Sequence, residues 1–309
     1  MIRTKPAFLR TNLLSESANP LWSGLLLAVL ATTFFSLATP LSRHAILLGM
    51  NPTTMLLGRM WISTLLLAMM IGAGRQVSMR FTRQGWWVIC LVGLSNSINI
   101  LAYYWALTRL ESSMAIMLFA INPLAVLGLL ALRGERLQPL HLVRLALALS
   151  GVYLLIGPGG QIDWIGVGLI LFSVIGFAVQ MALTQWYLRP YPATAVTYAI
   201  TIITTIGVTF WWWLEGADHY VAGLQGWGII ITLAVVSTFL ARLCFYAAIQ
   251  RMGSGQMSLL MSLETMLSVT WSVLFLGEQL HQWQWFGASF ILGSALLAAK
   301  ERSQRQTNA

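Results

Sequence analysis

A chain of 309 residues that is 58% hydrophobic and 9% charged cannot clothe itself for water, because soluble domains carry about 25% charged residues. Its net charge of +9 does not argue for nucleic acid: the basic residues sit in short connections between apolar runs, where they set orientation in a membrane. Cys90 and Cys244 both fall inside apolar runs, which argues against a disulfide framework and leaves the redox compartment unread.

The apolar runs recur from end to end, each roughly 18 residues or longer and so able to cross a ~30 Å hydrocarbon layer as a helix. They run continuously apolar and do not alternate with period two, which argues against a β-barrel. The reading is an all-α membrane protein with ten transmembrane helices. In chain order, residues 1–20 form a polar segment with Arg3, Lys5 and Arg10, without the cleavage site of a secretory leader. Spans are expected over 21–41, 53–73, 85–107, 112–132 and 140–157, then over 164–187, 193–214, 226–249, 254–276 and 283–299. Pro158-Gly159-Gly160, in the 158–163 connection, is the expected hinge between the halves 21–157 and 164–300, and residues 301–309 form a tail. Trp22, Trp86, Trp87, Trp164, Trp186, Trp227, Trp283 and Trp285 fall near span ends, where indole rings favour the headgroup level. With the N-terminus in the cytoplasm, 13 basic residues fall on that side and only Arg43 and Arg109 on the other. That bias puts both termini inside.

The chain repeats itself. Pro52 and Pro192 open spans; Gly85-Trp86 and Gly226-Trp227 open the third span of each half; Tyr104 matches Tyr246, Arg109 matches Arg251, Gly134-Glu135 matches Gly277-Glu278 and Gly151 matches Gly293. Single matches are weak, but an ordered series at one offset is strong. With five spans per half, the halves must enter the membrane from opposite sides. The expectation is two inverted five-helix repeats, the architecture of many secondary transporters.

Arg59 in Leu56-Leu57-Gly58-Arg59, the Asn122-Pro123 span running into Arg133-Gly134-Glu135-Arg136, and the echo Leu276-Gly277-Glu278-Gln279 resemble the EamA family of the drug/metabolite transporter superfamily. The resemblance covers about residues 21–300. It implies a basket of ten helices and transport of a small metabolite, commonly export from the bacterial inner membrane. The second half departs from the first: Glu264-Thr265 stands where the first has Asn122-Pro123, and Ala199 stands at the offset of Arg59.

Ionisable groups in a membrane interior are costly and mark function or a partner. Glu264 lies midway along its span and shares a helical face with Met257, Met261, Ser268 and Trp271. Three roles stay open for it: binding an amine-bearing substrate, carrying a proton, or pairing structurally with Arg242. Arg242 forms a polar stripe with Thr238 and Tyr246 and would hold a substrate carboxylate, staple two helices, or snorkel. Arg59, beside Trp61 and one turn from Ser63, would neutralise a carboxylate or cap carbonyls of a broken neighbouring helix, the family pattern favouring the second. Arg144 is expected to snorkel. Asn96, Asn99, Asn122 and Gln180 are the costlier polar groups to bury and so the better cavity candidates. Trp61, Trp271, Tyr246, Tyr104 and Trp105 are candidates for an aromatic lining, with ordinary packing the default for each.

Enzyme chemistry finds no foothold. There is no Walker A loop, no HExxH, no Cys/His cluster with metal spacing and no Gly-x-Ser-x-Gly elbow. No cofactor or metal is expected. The sequence therefore reads as a secondary transporter of the inner membrane that exports a small polar or zwitterionic metabolite, an amino acid or a derivative, by alternating access. Its partners are that metabolite, protons if Glu264 carries them, and the bilayer, with no nucleic acid. Import, passive exchange and a non-transporting sensor stay as alternatives.

Overall fold

The computed structural model describes residues 20–73, 80–132 and 163–279, with scattered positions in 146–154 and 282–293. Regular structure among them is helical throughout, and eight stretches are long and apolar enough to cross a membrane. Four lie in each half: Trp22–Leu47, Pro52–Ala73, Arg83–Ala106 and Ser112–Ala131, then Trp164–Leu188, Ala193–Glu215, Gly223–Met252 and Ser254–Leu276. The expected spans over 140–157 and 283–299 fall mostly outside the described residues. So do Arg144, Pro158-Gly159-Gly160, Gly134-Glu135 and both termini.

The first crossing is α1 (Pro20–Ser36) and α2 (Ala38–Leu47), interrupted at Leu37. It runs beyond the expected end at residue 41 because Pro40 sits in the first turn of α2, where a missing N–H costs little. Next come α3 (Pro52–Ala73) and α4 (Arg83–Ala106). Thr82 starts α4, its hydroxyl accepting from the Gly85 N–H at 3.1 Å. The fourth crossing is again broken, into α5 (Ser112–Phe119) and α6 (Asn122–Ala131), with Pro123 unable to donate back across the break. The second half holds α7 (Trp164–Leu183), α8 (Ala193–Glu215), α9 (Gly223–Ala234), α10 (Ala241–Met252) and α11 (Ser254–Leu276). A π-helical turn extends α7 over Thr184–Leu188, and another joins α9 to α10 over Val235–Leu240. Asp163 caps α7, accepting from the N–H groups of Ile165 and Gly166 at 3.0 Å each. Gly277 ends α11 at φ 66°, a left-handed conformation that glycine adopts without strain.

The helix ends sort onto two faces. On one, Thr82 meets the Tyr191 hydroxyl at 2.8 Å, Gln250 donates to the Tyr191 carbonyl at 2.6 Å, and Gly24 lies against Arg251. On the other, Asn51 and Thr53 donate to Glu215 at 3.0 and 2.7 Å, His44 meets Gln225 at 2.9 Å, and Arg109 pairs with Asp163 at 2.9 Å. Thus α1 begins on the Tyr191 face, while α7, the first helix of the second half, begins on the Glu215 face. The described spans of the two halves run in opposite senses.

Packing obeys the same exchange. α1 lies on α10 as α7 lies on α4; α4 lies on α8 as the α9–α10 crossing lies on α3; α1 contacts α11 as α7 contacts α5 and α6. Two buried apolar clusters result. One, toward the Tyr191 face, contains Ala28, Val88, Phe245 and Met257; the other, toward the Glu215 face, contains Ala45, Met55, Leu107 and Ile230. Large apolar side chains such as Leu26, Leu65, Ile98, Ile206 and Phe275 point outward, as a lipid surround permits.

Candidate functional site

Between the two apolar clusters lies a cavity of about 100 Å³. Both halves build it. The α1–α2 break supplies Phe35, Ala38 and Thr39, α3 supplies Arg59, and α4 supplies Asn96, Asn99, Ile100 and Tyr103. Ile116 and Phe119 come from α5; Ser173, Phe177 and Gln180 from α7; Arg242, Phe245 and Tyr246 from α10; Met261 and Glu264 from α11.

The three charged side chains are all buried, at 3% exposure for Arg59, 6% for Arg242 and 8% for Glu264. Their surroundings differ. The Arg59 guanidinium donates Nε to Thr238 Oγ1 at 2.5 Å, Nη1 to the Tyr104 hydroxyl and Nη2 to the Ser237 carbonyl at 3.1 Å. It also stands over the Tyr104 ring, 5.6 Å from the centroid. Ser237 and Thr238 belong to the π-helical turn between α9 and α10, so Arg59 binds backbone and side chain where the ladder is irregular. Arg242 donates Nη1 to Thr201 Oγ1 at 3.2 Å, which leaves most of its five N–H donors free. Glu264 Oε2 has no hydrogen-bond partner. The ion pair between Arg242 and Glu264 that the sequence left open is not formed: among the described residues the ion pair is Arg109–Asp163, on the Glu215 face.

Uncharged polar groups continue the pattern. Gln180 donates Nε2 to the Tyr246 hydroxyl at 2.8 Å, Asn96 donates Nδ2 to Thr204 Oγ1 at 2.9 Å, and Tyr103 shares a 2.8 Å hydrogen bond with Thr39. Gln180 Oε1 and Asn99 Nδ2 are buried without partners. A chain of ring contacts wraps the wall: Tyr103 to Phe119 at 5.4 Å, Phe119 to Phe177 at 5.4 Å, Phe177 to Phe245 at 5.8 Å and Phe245 to Phe35 at 5.7 Å. The cavity therefore presents an unpaired acceptor, a cation with spare donors and an aromatic body between them.

Seven of the ten residues singled out from sequence line this cavity: Glu264, Arg242, Arg59, Asn96, Asn99, Gln180 and Tyr246. Three do not. Trp61 is 48% exposed and donates Nε1 to Thr209 Oγ1 at 3.2 Å; two residues beyond Arg59 it is rotated about 200° around the helix, so it faces outward when Arg59 faces in. Trp271 stacks on Phe275 at 5.3 Å and donates to Ser36 Oγ at 3.2 Å. Asn122, at the start of α6, turns its amide to the Met181 sulfur at 3.7 Å. The sequence reading missed Thr39, Phe35, Phe119 and Phe245. Only Phe245 carried a signal, one turn from Arg242 and next to Tyr246; the others are set by the breaks in the first and fourth crossings.

A family model described as the EamA-like transporter family matches residues 22–157 and again residues 164–299. The pseudopaline exporter CntI of Pseudomonas aeruginosa is 25% identical over 219 residues, covering 70% of this chain and 74% of that one. An uncharacterized transporter of Archaeoglobus fulgidus is 24% identical over 213 residues, covering 68% of this chain and 76% of that one. A solved crystal structure matches with a TM-score of 0.66 at 18% identity, covering 91% of this chain and 97% of that chain. That likeness concerns the fold.

Proposed function

The chain belongs to the EamA-like transporter family, and from that premise we propose that it is a secondary transporter exporting a small polar or zwitterionic metabolite across the bacterial inner membrane by alternating access. It is an integral membrane protein of the drug/metabolite transporter superfamily. The observation that carries the proposal is Glu264: a carboxylate near the middle of its span, 8% exposed, without an ion-pair partner and with Oε2 unbonded. A charged side chain at that depth costs about 2.5–3.5 kcal/mol on insertion scales, and no ion pair among the described residues offsets it. A solute ammonium or a proton would.

Arg242 is the matching half of the site. Its free donors suit a carboxylate, and the aromatic wall suits the solute's body. The cavity measures about 100 Å³, smaller than the ~150 Å³ apolar cavity that accepts benzene, so it restricts the solute to a small one and must widen to admit anything larger. Arg59, already bonded on three sides, is a positioning residue for the π-helical turn that presents Arg242. Export as the direction is supported by the relative named as an exporter. The Tyr191 face is assigned to the cytoplasm because exposed Arg80, Arg83, Arg189 and Arg251 lie there, while Asp163, Glu215, Asp218 and Glu278 lie on the other. The expectation of ten helices in two inverted sets of five, with spans over 140–157 and 283–299 taken from the sequence, belongs to this proposal.

The test is solute counterflow in proteoliposomes with labelled amino acids and their derivatives, with anionic and cationic analogues as controls. Wild type exchanges the zwitterion in a pH-dependent manner. Glu264→Gln lowers the rate about ten-fold or more, the loss of roughly one charge-assisted contact, and flattens the pH profile. A Glu264→Gln protein that exchanges at the wild-type rate with the wild-type profile overturns the assignment.

A further inference from the structure

The Gly-Glu pair after α11 repeats in the sequence, and the binding site makes no use of it. The structure gives Glu278 a contact of its own. Its Oε1 accepts from the Ser112 N–H at 2.9 Å and the Ser112 hydroxyl at 2.6 Å, and Oε2 accepts from the Ser113 N–H at 2.9 Å. These are the first N–H groups of α5, which its own preceding residue Glu111 does not cap. A carboxylate there meets both the orphan donors and the positive end of the helix.

The position of α5 makes this contact more than a cap. It is only eight residues long. At its far end the chain breaks over Ala120 and Ile121 before Pro123, which cannot donate to the Phe119 carbonyl. Its inner face carries Ile116 and Phe119 into the cavity wall. Its apolar contact with α11 is a small cluster, Ile116 and Met117 against Val269, while Ala115 and Leu118 join the main cluster toward the Glu215 face. So α5 is a two-turn plug, hinged where it meets α6, and its first turn is held from the other half of the chain by the Glu278 carboxylate and by the Ser272 hydroxyl, 2.8 Å from Ser112 Oγ. The corresponding position on α11, Ser254, is held on the Tyr191 face by a neutral amide, Gln185 Oε1, at 2.6 Å from both its N–H and its hydroxyl. The two faces are closed by different chemistry.

We propose that Glu278 is the gate residue of the Glu215 face: its carboxylate latches α5 over the cavity, and solute leaves on that side when the latch releases and α5 swings about the Ala120–Ile121 break. The proposal rests on the transporter reading for its purpose, but the latch is measurable without transport.

Two experiments decide it, in a chain carrying Cys90→Ala and Cys244→Ala. In the first, Ser173→Cys reports cavity access to a membrane-impermeant thiol reagent, applied to one face in intact cells and to the other in inverted vesicles. Adding Glu278→Gln raises labelling from the Glu215 face about ten-fold, the shift expected when one charge-assisted hydrogen bond is lost, and leaves the Tyr191 face unchanged. Equal rates with and without the substitution overturn the proposal. In the second, Ser112→Cys is paired with Ser272→Cys, whose hydroxyls lie 2.8 Å apart in the native protein. Oxidation cross-links the pair and stops counterflow, and reduction restores it. Failure to cross-link, or full-rate counterflow with the link formed, overturns the gate. Absence of counterflow even after reduction counts against the transporter reading alone, and the labelling result still judges the latch.

Discussion

Glu264 and Arg59 are both ionisable and both buried within their spans, yet their surroundings are opposite. Arg59 is bonded to Tyr104, Thr238 and the Ser237 carbonyl; Glu264 keeps an unbonded oxygen. Their neutral substitutions should therefore separate. Arg59→Met strands buried acceptors and a buried hydroxyl and is expected to cost on the order of 2 kcal/mol or more, seen as a lower unfolding temperature in detergent. Glu264→Gln should leave that temperature unchanged or raise it, because an uncompensated charge is removed, while transport falls. Asp163 offers a pH test outside the membrane. The Gly166 N–H, then Arg109, holds its carboxyl below the usual carboxylate value. A group lowered on folding adds stability above its unfolded value, about 3.9 for Asp, and loses it as pH falls through the folded one. Asp163→Ala should thus lower the unfolding temperature at neutral pH, and the gap to wild type should close below about pH 4.

At the scale of elements, close packing of helices in lipid rests on small residues, because the solvent supplies no hydrophobic drive between them. The α4–α8 seam shows it: a Cβ on Gly93 would sit 2.5 Å from Ile203 Cβ, and one on Gly207 would sit 2.4 Å from Ser97 Oγ. Gly93→Ala is expected to destabilise by about 1–3 kcal/mol. Gly168→Ala, on a stretch of α7 with nothing within 4 Å of the new methyl, should be neutral or stabilising by up to ~1 kcal/mol. Detergent unfolding of the two variants checks the contrast. The threonines of α8 face two seams, Thr204 toward α4 and Thr205 toward α3. Thr204 and Thr205 bond their own helix at 2.8 Å, and Thr204 also accepts from Asn96 while Thr205 meets Thr64 at 2.8 Å. These residues serve as interhelical glue, with Asn96 also reaching the cavity.

For the whole molecule, the partners of each half lie largely in the other. α1 packs on α10, α4 on α7 and α8, and α3 on α8 and α9, and the cavity draws on both sets. Neither half can bury its inward polar face alone. Residues 1–157 or 158–309 expressed separately should be degraded and inactive, whereas co-expression of the two pieces should restore solute exchange in the same vesicles. Independent stability of one piece, by pulse-chase, would contradict this picture of interleaved halves.

What the chain determines without its coordinates is what the bilayer and the repeat impose along its length. Those are the membrane class, the positions of the eight described crossings, the two-repeat family membership, and a short set of inward polar residues headed by Glu264. Such features are periodic or local, so they can be read in order. What the tertiary structure decided is which inward group meets which. It bonded Arg59 to a carbonyl on a distant crossing, left Glu264 without Arg242, turned Trp61, Trp271 and Asn122 away, and brought Phe35, Phe119 and Phe245 into the wall. The reason is rotational. Each break at Leu37 or Ala120, and each π-helical turn at Thr184–Leu188 or Val235–Leu240, re-aims everything beyond it by up to ~100° per residue inserted. A period counted along the sequence does not register that shift, and only the packed bundle does.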